Sequence, residues 1–121
     1  MTNARPRILL VGVPHDFESL HEILEESGKF IVDNASTIKT ARFFLRRHPA
    51  VVLVNLPWDE REIVERLDWL RAVSHHAPVI TLTNRPDGPL FLRAMACGAF
   101  DCLSAPSPRE EVLHVLANAV R

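Results

Sequence analysis

The chain has little cysteine, no long apolar run and almost no net charge, and each shortage excludes a class of protein. Its two cysteines, Cys97 and Cys102, have the spacing of neither a redox pair nor half a zinc site, so we expect buried free thiols in a reducing cytoplasm. No apolar run approaches a membrane span, and the N-terminus lacks the layout of a signal peptide. The net charge of −1 gives no support for a nucleic-acid or membrane surface. We therefore expect one cytoplasmic domain over residues 1–121, with a loose leader over residues 1–6.

Motifs for catalysis and for phosphate or metal binding are also missing. The chain has no glycine-rich phosphate loop, no Ser/His/Asp set and no zinc-ligand spacing. No acid–base or nucleophile pair can be assembled from its residues. The sequence therefore predicts a protein that is not an enzyme and that carries no cofactor.

The most informative stretch that is present is an apolar run that ends at Asn55. It extends from Ala50 to Val54 without polar alternation and contains three valines. Such a run is typical of a strand covered by helices on both faces, at the centre of a parallel sheet. Chemistry in sheets of this kind gathers at the carboxyl ends of the central strands, and Asn55 stands at that end.

Strand patterns alternate with helix patterns along the whole chain. The predicted strands cover residues 7–13, 30–32, 51–56, 79–83 and 102–104. The first predicted helix covers residues 17–27. The second begins after Ser36 or Thr37 and stops at Pro49, and the third begins after Asp59. The fourth begins at Gly88 and ends at Gly98, and the fifth begins after Ser107. Short connections between five strands and five helices predict a flavodoxin-like, doubly wound parallel sheet of strand order 2-1-3-4-5.

Three segments resemble the receiver domains of two-component response regulators. Residues 78–83 look like the family's "PVI-x-LT" strand, and residues 98–106 look like its "GA-x-D-Y-L-T-K-P" segment. Residues 50–57 are similar to the "DLVLLDL" strand, whose last Asp is the phosphoacceptor. The resemblance covers residues 8–120 and implies a signalling module of a phosphorelay.

The same resemblance implies that the phosphorylation chemistry has been lost. Receivers hold Mg²⁺ with two acids after the first strand, phosphorylate an Asp after the third, and hold the acyl phosphate with a Thr or Ser and a Lys. In chain order these positions are Gly12, Val13, Asn55, Thr83 and Ala105, and only Thr83 matches. An amide is no useful nucleophile and has no charge to hold a metal. We therefore expect neither phosphorylation at Asn55 nor Mg²⁺ binding.

The resemblance also implies a switch and a contact surface. Receivers place an aromatic residue on the fifth strand, where this chain has Cys102, which is too small to act with Thr83 as the family's switch pair. Family members meet partners, or a second copy, through the fourth helix, fifth strand and fifth helix. The candidate contact residues are Phe91, Leu92, Met95 and Trp69.

Our first hypothesis is a degenerate receiver that acts by protein–protein contact or self-association, with no nucleic-acid or membrane binding of its own. One alternative is a receiver-like module that senses a small molecule in the neutralised pocket formed by Gly12, Val13, Asn55, Thr83 and Ala105. Another is a conventional receiver that is phosphorylated at an unrecognised site.

Overall fold

The chain folds into a five-stranded parallel sheet with helices on both faces. The computed structural model describes residues 5–12, 18–57, 59–84, 87–104 and 106–120. The strands are β1 (Arg7–Val11), β2 (Ile31–Ala35), β3 (Val51–Asn55), β4 (Val79–Thr83) and β5 (Asp101–Ser104). The helices are α1 (Glu18–Ser27), α2 (Ile38–Leu45), α3 (Glu60–Val73), α4 (Gly88–Ala96) and α5 (Arg109–Val120). The strand order is β2-β1-β3-β4-β5, which confirms the predicted topology.

Each face of the sheet carries its own apolar core. Alternate side chains of the strands pack against α1 and α5 on one face and against α2, α3 and α4 on the other. All five residues of β3 are buried, as the unbroken apolar run predicts for a central strand. Helices α3 and α5 each turn an apolar stripe toward the sheet, and its buried residues include Ile63 and Leu67 on α3 and Leu116 and Ala119 on α5.

Side-chain caps fix where three helices begin. Thr37 accepts from the Thr40 amide in a capping box at α2, and Asp59 accepts from the Glu62 amide at α3, as predicted. The N-cap of α4 is Asp87, whose carboxylate accepts from the Leu90 amide at 2.6 Å. The sequence analysis did not assign that role.

Strand β2 is longer than predicted and begins and ends later. It covers Ile31–Ala35 rather than residues 30–32, because the backbone of Asp33 and Asn34 continues to pair with β1 despite the polar side chains. The Asp33 carboxylate is held by Arg7 at 2.9 Å and by Arg47 at 3.1 Å. A strand at the edge of a sheet tolerates a charged residue when the charge is paired in this way. Hydropathy alone does not indicate a strand at such a position.

Other predicted boundaries move by a few residues. Strand β1 stops at Val11 instead of residue 13, because Gly12 leaves the strand with φ +61°. Helix α2 ends at Leu45, well before Pro49, and His48 takes φ +53° in the turn. Before α5, the Ser107 hydroxyl donates to the Ser104 carbonyl.

Two further expectations concern exposure. Cys97 and Cys102 are free thiols, as predicted, but both are half-buried rather than buried, because each lies at the border of the α2–α3–α4 core. In the described part of the chain, no helix is long and apolar enough to cross a membrane.

Candidate functional site

The carboxyl ends of β1 and β3 meet at one edge of the sheet. These two strands pair directly, with Val11 opposite Val54, so Gly12 and Asn55 follow at neighbouring positions. The Gly12 amide donates to the Ala35 carbonyl of β2 at 2.8 Å, which fixes the turn out of β1. This edge is where doubly wound sheets place their ligands. The structure therefore brings together two of the positions that the sequence analysis singled out.

Asn55 is the last residue of β3, and only 7% of its surface is exposed. Its backbone carbonyl accepts a hydrogen bond, but in the part of the chain that the structure describes its carboxamide has none. The position is thus polar and enclosed, yet it has neither the charge nor the nucleophilic oxygen of a carboxylate.

The residue that sequence analysis missed is Arg66 of α3. Its Nη1 donates to the Asn55 carbonyl oxygen at 2.6 Å. A Cβ added to Gly12 would lie 2.9 Å from that same Nη1 and 3.0 Å from Cζ. The guanidinium therefore lies against the ends of both strands. Glycine at position 12 is favoured by its φ of +61°, and a larger residue there would also have to displace the end of the Arg66 side chain.

A sequence signal for Arg66 did exist. Arg66 lies three residues after Ile63 and four before Leu70, both of which are buried on the inner stripe of α3. A charged residue on an inward stripe indicates a side chain that reaches from the core to a partner at the edge. Arg66 is half-buried, and in the described residues it forms no ion pair.

The described residues at this edge do not fit a magnesium site. Mg²⁺ requires oxygen ligands, usually with at least one carboxylate. Gly12 supplies no side-chain oxygen, Asn55 supplies a neutral amide, and the nearby Arg66 is a cation that repels a metal ion. No group of three His, Cys, Asp or Glu residues that could hold a metal is found among the described residues.

The switch-equivalent residues lie on the neighbouring strands. Thr83 ends β4, is buried, and pairs with Ser104 of β5. Cys102 pairs with Thr81 and is half-buried. Burial raises the pKa of the Cys102 thiol; the hydrogen bond with Thr81 lowers it, and the charge of Asp101 raises it again. Val13 and Ala105, the two remaining positions of the predicted pocket, lie outside the described residues.

The predicted contact residues fall on two helices. Phe91, Leu92 and Met95 are exposed side chains of α4, with Leu92 exposed by 67%. Trp69 lies on α3, where it is partly buried against the α2–α3–α4 core. The sequence analysis overlooked Phe100, which is 44% exposed directly before β5. Exposed apolar side chains are therefore concentrated on α4 and the turn that follows it.

Comparison with known proteins finds similarity to one curated regulator and to solved structures of receiver domains. No family model matches the chain. It is 29% identical over 121 residues to the C4-dicarboxylate transport transcriptional regulatory protein DctD of Pseudomonas aeruginosa. The match covers 98% of this chain but only 26% of that regulator, so the chain spans about a quarter of the length of this curated relative.

Solved structures share the fold along nearly the whole chain. A response regulator from Thermotoga maritima aligns with a TM-score of 0.83 at 23% identity, covering 97% of this chain and 98% of that one. The signal receiver domain of an HD domain-containing protein from Pseudomonas fluorescens aligns with a TM-score of 0.80 at 24% identity, covering 97% and 95%. The chain therefore has the fold of the response regulator and receiver domain structures that it aligns with, and its sequence is similar to about a quarter of a transcriptional regulator.

Proposed function

We propose that this chain is a receiver-type signalling module that is not phosphorylated, has no catalytic activity and acts through protein–protein contacts. The single observation that carries the proposal is the position of the Arg66 guanidinium, at the carboxyl ends of β1 and β3. A fixed cation at this edge takes the place in which a receiver needs carboxylates and a divalent metal.

Electrostatics explain why this arrangement opposes phosphoryl transfer. A unit positive charge about 4 Å from a divalent cation costs about 2 kcal/mol even at the dielectric constant of water, and more in a partly buried site. The Asn55 amide offers no negative charge to offset that repulsion and no nucleophile to attack a phosphoryl donor.

The first test is an amide NMR titration with Mg²⁺ and beryllofluoride, which mimics an acyl phosphate. We expect no saturable shift at Asn55 or Thr83, because neither the metal nor the anion finds its ligands there. The chain's own amides far from the edge, such as those of the first turn of α5, serve as the internal control for non-specific salt effects. Saturable shifts at Asn55 and Thr83 that extend into α4 would contradict the proposal and favour a conventional receiver.

The surface that we propose for protein contact is the apolar part of α4, defined by Phe91, Leu92 and Met95. All three side chains are exposed, and Phe100 adds a fourth exposed apolar side chain nearby. Apolar side chains grouped on a surface indicate an interaction site more strongly than ones that are scattered. Self-association through α4, β5 and α5 is the simplest contact that this surface supports.

Sedimentation experiments at increasing protein concentration test this surface. We expect the average mass to rise with concentration, and the variant Leu92→Arg to remain monomeric, because a charge there must lose its hydration on contact. Phe43→Arg is the matched control, since Phe43 on α2 is exposed by the same 67% but lies on another surface. An unmodified chain that stays monomeric throughout, or two variants that behave alike, would contradict self-association through α4.

A further inference from the structure

A cavity of about 250 Å³ lies on the β4 and β5 side of the candidate site. It is bounded by the ends of β4 and β5 and by the first turn of α4. Most of its wall is apolar: it is lined by Leu56, Leu90 and Phe91, by Thr81 and Cys102, and by the end of β5 at Leu103, whose side chain packs in the core on the other face of the sheet. Neither Gly12, Asn55 nor Arg66 contributes to this wall.

The size of the cavity follows from the small side chain at position 102. Protein interiors are packed as densely as organic crystals, and voids much larger than a water molecule are few. Cys102 is half-buried on β5 and lines the cavity, so its small thiol fills only part of the space between β5 and α4. The opening lies next to Phe91, which is 46% exposed and lets the cavity reach the protein surface.

The chemistry of the wall favours an apolar occupant over water. A buried water needs two to four polar partners, whereas a dry apolar cavity of about 150 Å³ is able to bind benzene. Here the Thr81 hydroxyl is engaged with the Cys102 sulfur, and the Asp87 carboxylate caps α4 through the Leu90 amide. Among the described wall residues Asp87 is the only charged one, and its negative charge disfavours an anionic occupant.

We propose that this cavity is a binding site for a small uncharged ring compound, of one or two fused rings with a single hydrogen-bonding group. The rings fill the space between Leu56, Leu90 and Phe91, and the polar group meets the strand ends near Thr83 and Ser104. Ligand binding at this site does not depend on phosphorylation, so this proposal can be tested independently of the function proposed above.

Occupancy of the cavity reaches the α4 surface through Phe91. The same side chain lines the cavity and belongs to the exposed apolar part of α4. A ligand beneath the first turn of α4 therefore changes the surroundings of Phe91, a residue that a protein partner would contact. The site would give an unphosphorylated receiver a chemical input.

The test uses indole as the neutral probe and indole-3-carboxylate as its anionic counterpart. We expect indole to cause saturable amide shifts at residues of the cavity wall in β4, β5 and the first turn of α4, and the carboxylate to cause none. Cys102→Phe fills the cavity and is expected to abolish those shifts. Phe43→Ala is the control, because Phe43 is an exposed side chain of α2 outside the wall, and this variant is expected to bind indole like the unmodified chain.

A second measurement needs no variant and so remains decisive if Cys102→Phe does not fold. Indole is expected to slow alkylation of the Cys102 thiol, while alkylation of Cys97, which is absent from the cavity wall, keeps its rate. Equal rates at Cys102 with and without indole would overturn the proposal. It would equally be overturned by indole shifts that persist in folded Cys102→Phe, or by the absence of saturable shifts in the unmodified chain.

Discussion

The variant Asn55→Asp is expected to remain unphosphorylated when it is incubated with acetyl phosphate and Mg²⁺. The substitution supplies a carboxylate nucleophile, but phosphoryl transfer also needs a bound metal, and Gly12 contributes no ligand for it. The Arg66 guanidinium, 2.6 Å from the Asn55 carbonyl, stands beside the new carboxylate and pairs with it instead. Intact-protein mass spectrometry measures the phosphorylated fraction directly.

Removing the cation separates the contribution of Arg66 from that of the missing acids. In the background of Asn55→Asp, the further change Arg66→Ala is expected to tighten Mg²⁺ binding roughly tenfold or more, because about 2 kcal/mol of charge repulsion is lost. NMR titration with Mg²⁺ gives both affinities, and Arg71→Ala, at an exposed position on the same helix, is the control. Efficient phosphorylation of Asn55→Asp alone would mean that Arg66 does not block this edge.

Replacing Leu53 with alanine is expected to lower the free energy of unfolding by about 3–5 kcal/mol. Leu53 is fully buried in the middle of β3, opposite Leu10 of β1 and Ile80 of β4, and it packs into the core on the side of α1 and α5. Strands on both sides hold the backbone in place, so the cavity cannot collapse easily. Since domains are stable by only about 5–15 kcal/mol, this one change is expected to remove a large share of the total.

Leu92→Ala is the matched control for Leu53→Ala, since the same side-chain atoms are removed from a residue that is 67% exposed. We expect that variant to differ from the unmodified chain by no more than about 0.5 kcal/mol. Urea denaturation measures both, and an unchanged denaturant slope would show that the compactness of the two end states is preserved. A similar loss for both variants would contradict the assignment of β3 as the buried centre of the sheet.

Much of the fold could be predicted because the local patterns agree with the tertiary arrangement. The apolar run at β3 and the capping residues Thr37 and Asp59 carry their structural meaning within a few residues of sequence. Strand β2 was predicted less well, because Asp33 depends on arginines from two other elements to offset its charge. A hydropathy pattern does not show ion pairs between distant elements.

The expected loss of receiver chemistry at Asn55 stays a prediction, and it rests on the identity of the side chain, which fixes what that side chain can attack or bind. The sequence places an amide where receivers have an acid and a glycine at position 12, whatever the packing around them. The same reasoning could not find Arg66, since its role depends on how α3 lies across the ends of β1 and β3.

By itself the sequence determined the five-strand topology, the buried centre of the sheet and the missing carboxylates, because each follows from local periodicity or from side-chain chemistry. Only the tertiary structure decided that a guanidinium lies against Gly12 and that a cavity opens between β4, β5 and α4. Both features arise where elements distant in the chain approach one another. Their geometry depends on the packing of whole helices on the sheet, which no short stretch of residues encodes.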